Sequence, residues 1–172
     1  MMVFWTRGYE GSSISDLEEA TGLNKRSLYN EFGDKEAMFA VALERYMSMT
    51  GKMSSILTIE PLGVKNIHNF FKAIKYEPGM FGCMLTKTVN EQDAPTDSVE
   101  TAKSAILETE SLLINNLQAD GFSKAKARAV SAFLTSIIQG ITTMSRVDPD
   151  PKRLKAVIDH AMLQVENQNP ST

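Results

Sequence analysis

The sequence predicts an all-α protein. Apolar residues recur at the three- and four-residue spacing of one helix face, as in Val130, Leu134, Ile137 and Ile141. No window shows a sustained two-residue alternation, so we expect no β-sheet. Residues that favour helix starts precede many of the apolar stripes, and glycines follow several of them. Together these observations predict a succession of helices joined by short turns.

The clearest local signals lie near the N-terminus. Ser13 and Asp16 form an S-x-x-D pattern that can satisfy the unpaired N–H groups at the start of a helix. Gly22 permits the turn that ends this helix. Asn24 is a good N-cap for a second helix, which we predict over about residues 25–32. The sequence therefore predicts two short helices joined by a tight turn.

The second of these helices has a basic, hydroxyl-rich start. Its buried edge is Leu28 and Phe32, four residues apart. The other faces carry Lys25, Arg26, Ser27, Tyr29 and Asn30. A recognition helix needs this layout to present its first turns to base edges in the major groove of DNA. An ordinary helical hairpin with solvated charges would show the same pattern, so the pattern alone leaves both interpretations open.

Beyond these two helices the chain continues as helix after helix. We predict a linking helix from about Lys35 to Gly51, a break at Pro61–Gly63, and a helix over about residues 64–74. A loop at Tyr76–Gly79 comes next, followed by a short helix that contains Cys83, Met84, Leu85 and Val89. Three longer helices then begin near Asp97, Ser123 and Asp150.

The two short helices stand within a longer recognisable series of residues. The series is Arg7-Gly8-Tyr9-Glu10-Gly11-Ser12-Ser13-Ile14, Asp16-Leu17, Thr21-Gly22-Leu23, Ser27-Leu28-Tyr29, Phe32 and Lys35-Glu36-Ala37. It resembles the DNA-binding domain of TetR-family transcriptional repressors, nearly without gaps over residues 3 to about 46. The resemblance implies a helix-turn-helix head with its connecting helix over residues 1–50, and a helical effector-binding and dimerisation domain over residues 51–172.

The same resemblance implies a function. Proteins of this kind bind a palindromic double-stranded DNA operator as dimers and are released from it by a small molecule. The DNA contacts that it implies here are Ser12, Ser13, Lys25, Arg26, Ser27, Tyr29, Asn30 and Lys35.

Two positions depart from the family pattern. Only about two turns of helix precede Gly8, so the first helix resembles a truncated form of the usual one. If this start is genuine, Phe4 and Trp5 still cover the core; otherwise the start lies further upstream. We expect the chain as written to bind DNA more weakly than a version extended upstream. Glu18 stands where the family usually has a small residue between the two helices, and we expect it to point outward or to pair with a cation.

The charge balance does not by itself favour DNA binding. Residues 1–50 carry five basic and eight acidic side chains, whereas the remainder has thirteen of each. DNA-binding proteins usually need a positive face to neutralise phosphates. Lys25, Arg26 and Lys35 can converge into such a face if the acids point away. The DNA-binding prediction therefore depends on the motif.

The last two helices carry long apolar stripes. Packing within one chain would satisfy each stripe, but the TetR resemblance implies a four-helix bundle with a second copy. A two-fold dimer would place two recognition helices about 34 Å apart, which matches successive major grooves. The predicted interface residues are Phe133, Leu134, Ile137, Ile138, Ile141, Leu154, Val157, Ile158, Ala161 and Met162.

The middle of the chain is expected to hold an effector pocket, as the resemblance implies. Aromatic and methionine side chains suit an adaptable apolar pocket, although each of them would also suit a plain core. The candidates are Phe70, Phe71, Tyr76, Met80, Phe81, Cys83, Met84 and Gln139. A ligand would release DNA by binding better to a conformation in which the two heads are wrongly spaced, and the linking helix would carry the shift.

Cys83 has a second interpretation. The segment from Gly82 to Lys87 resembles a Gly-Cys-Leu segment of a TetR subgroup, some members of which sense oxidants or electrophiles through this cysteine. Lys87, four residues on, and the nearby helix start could both favour the thiolate. The alternative is a buried, inert thiol that fills space.

The remaining features argue against other classes. The single cysteine excludes an intramolecular disulfide and favours a reducing compartment. No apolar run reaches the about 18 residues of a membrane span, and no secretory signal is recognisable, so we expect a cytoplasmic location. His68 and His160 are isolated, and no phosphate-binding Gly-rich loop, GxSxG or HExxH motif occurs. We therefore expect no metal, no cofactor and no enzymatic activity. A TetR-like helical interaction protein that has lost DNA binding remains a third possibility.

Overall fold

The computed structural model describes residues 1–74, 82–148 and 150–169, and these residues contain helices, turns and loops but no strand. The prediction of an all-α fold is confirmed. In chain order the helices are α1 (Met2–Arg7), α2 (Ile14–Thr21), α3 (Lys25–Phe32), α4 (Lys35–Ser54), α5 (Val64–Ala73), α6 (Met84–Asn90), α7 (Thr96–Ala119), α8 (Lys124–Val147) and α9 (Pro151–Glu166). A 3-10 turn, Ser55–Thr58, follows α4. None of the described helices has both the length and the apolar character that crossing a membrane requires.

The chain divides into two compact units. The head unit comprises Met1–Met49 and Cys83–Ala105, and the C-terminal unit comprises Thr50–Gly82 and Ile106–Thr172. Residues 83–105 thus group with the N-terminal helices, which a single boundary at residue 50 does not anticipate. The functional division into a DNA-binding domain and an effector domain stays a prediction.

Helix α1 is short but covers the core of the head unit. The ring of Phe4 meets Phe39 of α4 edge-on with 5.1 Å between ring centroids, and only 2% of Phe4 is exposed. Trp5 meets Tyr46 of α4 in the same way, also at 5.1 Å. The other buried members of this cluster are Leu17, Leu28, Met38, Ala42, Leu43, Met84 and Ala102. The helices of the head unit therefore share one apolar core that includes α6 and the start of α7.

The C-terminal unit has a larger apolar core. Its buried members come from the 3-10 turn and from α5, α7, α8 and α9, with Phe122 from the turn before α8. Examples from four of these helices are Ile67, Leu117, Leu134 and Val165. Long amphipathic helices can form such a core because each one presents a continuous apolar stripe.

One polar side chain is embedded in this core. Asn116 of α7 is fully buried, and its amide donates to the carbonyls of Leu57 and Leu112, each at 2.8 Å. Its carbonyl oxygen accepts from the backbone N–H of Gly63 at 3.0 Å and from the amide of Asn66 at 3.1 Å. Because every donor and acceptor of this amide is used, the burial carries no unpaired polar atom. The network ties the loop before α5 to α7.

Candidate DNA-binding surface

Helix α2 begins with a complete capping box. The backbone N–H of Asp16 donates to the Ser13 hydroxyl at 3.1 Å, and the N–H of Ser13 donates to the Asp16 carboxylate at 2.8 Å. Leu17, one residue further on, is buried in the head core. The cap fixes where α2 begins, and Leu17 fixes which face it buries.

The turn from α2 to α3 follows from its residue types. Gly22 has φ +71°, a left-handed conformation that glycine adopts without steric cost. Asn24 caps α3, because its side chain accepts from the N–H of Ser27 at 2.9 Å. Leu28 is 2% exposed and anchors α3 in the head core. The predicted bounds of this helix agree with the structure, which has α3 over Lys25–Phe32.

The first turns of α3 face outward with basic and polar side chains. Lys25, Arg26 and Asn30 are exposed, while Ser27 and Tyr29 are half-buried. A recognition helix presents its N-terminal residues to base edges in the same way. The structure therefore keeps all five predicted residues of α3 accessible on one short helix.

Two lysines of the head contact aromatic rings. The ammonium of Lys35, at the start of α4, lies 4.4 Å from the centre of the Tyr9 ring, and that of Lys25 lies 5.8 Å from the Tyr29 ring. These contacts orient the two charges without neutralising them. Burial raises the pKa of Tyr9, and the nearby carboxylates of Glu36 and Asp34 raise it further, so its hydroxyl keeps its proton.

Glu18 has a role that the sequence did not indicate. Its carboxylate accepts a hydrogen bond from the backbone N–H of Lys25 at 2.5 Å, across the turn from α2 to α3. That N–H belongs to the first turn of α3, where N–H groups have no partner within the helix. Glu18 is thus paired with a helix N-terminus rather than with a side-chain cation, and its negative charge lies beside the recognition helix.

An ion pair joins α1 to α2. The guanidinium of Arg7 donates to the Asp16 carboxylate. Hydrogen bonds from the backbone and hydroxyl of Ser13, together with this contact, lower the pKa of Asp16 from 3.8 to about 2. Asp16 therefore remains ionised well into the acid range.

Ser12 is placed differently from the other predicted DNA contacts. Only 1% of it is exposed, and its hydroxyl donates to the carbonyl of Gly8 at 2.5 Å. A hydroxyl held in this way supports the head from inside and is not available to a phosphate. We therefore remove Ser12 from the set, whereas Ser13 is exposed and Lys35 is half-buried.

The predicted effector residues that the structure describes are divided between the two compact units. Phe70 and Phe71 are buried in the core of the C-terminal unit. Met84 is buried in the core of the head unit, and Cys83 packs against that core. Gln139 lies half-buried on α8. Tyr76, Met80 and Phe81 lie outside the described residues. The aromatic pair on α5 therefore matches the alternative of plain core.

The predicted dimer residues fall into two groups. Leu134, Ala161 and Met162 are at most 4% exposed and belong to the intramolecular core, and Ile141 is 5% exposed. The rest are half-buried or exposed on α8 and α9, namely Phe133, Ile137, Ile138, Leu154, Val157 and Ile158. An open groove of about 240 Å³ runs between the two helices, with Ile137, Leu154 and Val157 in its lining. Only part of the predicted interface on these two helices is therefore accessible to a partner.

Two charged residues in the head unit, Lys87 and Glu91, make contacts that the sequence does not predict. The structure shows the Lys87 ammonium on the carbonyl oxygens of Trp5 and Thr6, and the Glu91 carboxylate on backbone N–H groups near Gly8. No local pattern reports such contacts, because the partners lie about eighty residues apart in the chain.

The fold and this surface define a helix-turn-helix regulator of transcription. Residues 1–42 match the family of bacterial regulatory proteins called tetR, and residues 64–160 match the C-terminal domain of LmrA/YxaF-like transcriptional regulators. The chain belongs to the TetR family. It is a transcriptional regulator and not an enzyme.

Individual relatives agree with this assignment. The chain is 31% identical to the transcriptional repressor ComR of Escherichia coli K12 over 171 residues, which cover 91% of this chain and 80% of ComR. It is 48% identical to the repressor AcnR of Corynebacterium glutamicum over 101 residues, which cover 58% of this chain and 49% of AcnR.

Solved structures show the same fold. A cysteine mutant of the TetR-family regulator CifR, complexed with 26-base-pair operator DNA, superposes with a TM-score of 0.81 at 24% identity, covering 93% of this chain and 90% of CifR. The reduced form of NemR from E. coli superposes with a TM-score of 0.76 at 18% identity, covering 93% of this chain and 89% of NemR.

Proposed function

We propose that this protein is a ligand-responsive transcriptional repressor that binds a palindromic operator as a homodimer and is released by a small molecule. The observation that carries the proposal is the exposed start of α3, where Lys25, Arg26 and Asn30 project from a helix fixed by Asn24 and Leu28. The relatives ComR and AcnR are repressors, which supports repression as the direction of control.

Each head contact has a distinct expected role. The first turns of α3 carry Lys25, Arg26 and Asn30, which we assign to base edges and adjacent phosphates in the major groove. Ser13 caps α2 and Lys35 begins α4, and we assign both to backbone phosphates. Phosphate contacts position the head, while base contacts give it sequence preference.

We also propose that α8 and α9 form the homodimer interface. The support is the apolar surface that these helices leave uncovered: Phe133 is 41% exposed and Val157 is 37% exposed, beside half-buried Ile137 and Leu154. A homodimer buries the same patch on both copies, so the groove between α8 and α9 would be filled from the partner. Light scattering at micromolar concentration tests this, and a monomer would contradict it.

Release by an effector requires two conformations of unequal ligand affinity. The ligand must bind the conformation that cannot engage DNA more tightly than the one that can. We propose that the effector site lies in the C-terminal unit and includes Gln139. Phe70 and Phe71 belong to this site only if the ligand-bound conformation opens the packing around α5.

Operator binding is tested with labelled DNA from the region upstream of the gene. Sequence-selective binding that survives about 150 mM salt is expected for a repressor, because non-specific binding is largely electrostatic and weakens steeply with salt. Unrelated DNA of equal length is the control. A folded dimer that binds both DNAs equally weakly would favour the helical interaction protein instead.

A second candidate function is thiol-based sensing by Cys83. This cysteine is half-buried, is not disulfide-bonded and stands at the N-cap of α6, where a covalent adduct would disturb the start of that helix. Mass spectrometry of the folded protein after mild peroxide or quinone treatment tests it. An unmodified Cys83, or an adduct that leaves DNA affinity unchanged, would eliminate this alternative.

A further inference from the structure

Helix α6 holds the beginning of the chain through two oppositely charged side chains. Lys87 donates from its ammonium to the carbonyl oxygens of Trp5 at 3.3 Å and Thr6 at 2.5 Å. Glu91, the C-cap of α6, accepts from the backbone N–H groups of Tyr9 at 2.9 Å and Glu10 at 2.7 Å, one with each carboxylate oxygen. We call this set of four hydrogen bonds the α6 clasp.

Gly8 allows the clasp to close. Its φ of +82° lies in the left-handed region, and a Cβ atom there would stand 2.7 Å from both carboxylate oxygens of Glu91. Atoms at that distance overlap, so any other residue would push Glu91 away or distort the turn. Glycine at position 8 is therefore favoured both by the local backbone conformation and by the close approach of Glu91.

The charges of the clasp match the polarity of the backbone groups that they meet. Lys87 lies at the carbonyl end of α1, where a cation is favourable. Glu91 accepts from the N–H groups of Tyr9 and Glu10, which follow α1 and are outside any helix. Hydrogen bonds to charged groups are about twice as strong as neutral ones. Helix α1 has six residues, too few to be stable alone, so contacts from outside decide its placement.

The clasp acts directly on the entry to the helix-turn-helix. Tyr9 and Glu10 lie between α1 and the cap of α2 at Ser13, and Tyr9 also carries Lys35 over its ring. A change in the position of α6 would therefore move the turn that leads into α2 and the cation at the start of α4.

We propose that Lys87 and Glu91 are positioning residues for operator binding, because they fix the backbone turn that leads from α1 into the helix-turn-helix. The inference rests on the proposed function, since it requires an operator. It adds α6 to the elements that fix the geometry of the head, beside the linking helix α4.

Glu91→Ala is the sharpest test because two explanations predict opposite signs. Removing an acid from a head unit with excess negative charge strengthens DNA binding if only electrostatics matters. The clasp instead predicts operator affinity about tenfold weaker, the size expected for losing charge-assisted hydrogen bonds. Asp93→Ala, which removes an exposed acid two residues away, is the matched control and is expected to bind at least as tightly as the unaltered protein.

Glu91→Gln tests whether Glu91→Ala weakens operator binding through a general loss of structure. It retains the shape and one accepting oxygen, so we expect an affinity between those of the alanine variant and the unaltered protein. The slope of affinity against salt should stay unchanged in both variants, because no phosphate contact is removed. Hydrogen exchange at the amides of Tyr9 and Glu10 should become faster in Glu91→Ala, while exchange within α8 does not change.

The outcomes separate the two proposals. If the unaltered chain shows no sequence-selective binding, the proposed function and the clasp's role both fail. If it binds its operator and Glu91→Ala binds equally well or better, the clasp is overturned while the proposed function stands. Weakening by Glu91→Ala and not by Asp93→Ala, with hydrogen exchange in α8 unchanged, supports the clasp.

Discussion

Different kinds of contact stabilise the interior of the head unit and the interior of the C-terminal unit. Helices α2 and α3 have eight residues each, and side chains of Ser13 and Asn24 pair with the N–H groups at their starts. In the C-terminal unit α8 and α9 have 24 and 16 residues, and their continuous apolar stripes supply a larger core. The short helices α2 and α3 thus depend more on individual polar contacts than the long helices α8 and α9 do.

The difference follows from helix length. A helix of two turns gains too little from its own hydrogen bonds to pay for ordering its backbone, so caps and tertiary contacts decide its position. A long helix distributes its stability over many apolar contacts. The geometry of α2 and α3 is therefore easy to alter by small changes.

Truncation in the larger core should have the largest effect. Leu117 of α7 is fully buried, so Leu117→Ala should lower the free energy of unfolding by about 2–5 kcal/mol through lost transfer energy and a residual cavity. Leu107, on the same helix, is 61% exposed, and Leu107→Ala should change it by no more than about 0.5 kcal/mol. Urea unfolding measures both. Equal effects would show that the C-terminal unit is not held by its apolar core.

Substitutions in the head should affect DNA affinity more than substitutions in the C-terminal unit. Arg26→Ala removes an exposed cation from the first turn of α3 and should weaken operator binding by about 1–3 kcal/mol. Arg128 is an exposed arginine on α8, and Arg128→Ala should leave the affinity unchanged. Fluorescence anisotropy at fixed salt compares the two. A loss of affinity in Arg128→Ala alone would place the DNA surface outside the head.

Matched caps make the comparison between short and long helices direct. Asn24→Ala removes the cap of the eight-residue α3, and Ser123→Ala removes that of the 24-residue α8. Each should cost about 1 kcal/mol. In Asn24→Ala faster amide exchange should extend through all of α3, whereas in Ser123→Ala it should be confined to the first turn of α8. Confined exchange in both variants would mean that packing, and not the cap, positions the recognition helix.

The same contrast explains what could be predicted from the sequence. The bounds of α3 and the caps at Ser13 and Asn24 were predictable because cap and N–H lie within three residues of each other. The sequence could not show whether Phe70 and Phe71 belong to the core or to a pocket, because the same apolar side chains suit both environments.

Contacts across the chain were the least predictable. Glu18 was recognised as unusual, but its partner is the backbone of Lys25 and therefore has no signature in the residue types. The partners of Glu91, Tyr9 and Glu10, are also backbone groups and lie about eighty residues earlier in the chain. Helical periodicity predicts which face is buried, but it does not predict which neighbour covers it.

The smallest expected effect is a loss of stability in acid that arises from Asp16. The pKa of Asp16 is lowered to about 2 in the folded chain, from 3.8, so the stability it contributes is fully present above pH 3.8 and is lost as the pH falls towards 2. Asp16→Asn removes that contribution, so its stability should fall less steeply with acid in this interval than that of the unaltered protein. Glu19→Gln, which neutralises an exposed acid on the same helix, is the control for removing a charge from α2. Carboxyl-carbon NMR titration reports Asp16 directly; a midpoint near 3.8 would mean that the Ser13 and Arg7 contacts do not persist in solution, and the capping of α2 would then resemble an ordinary solvated helix start.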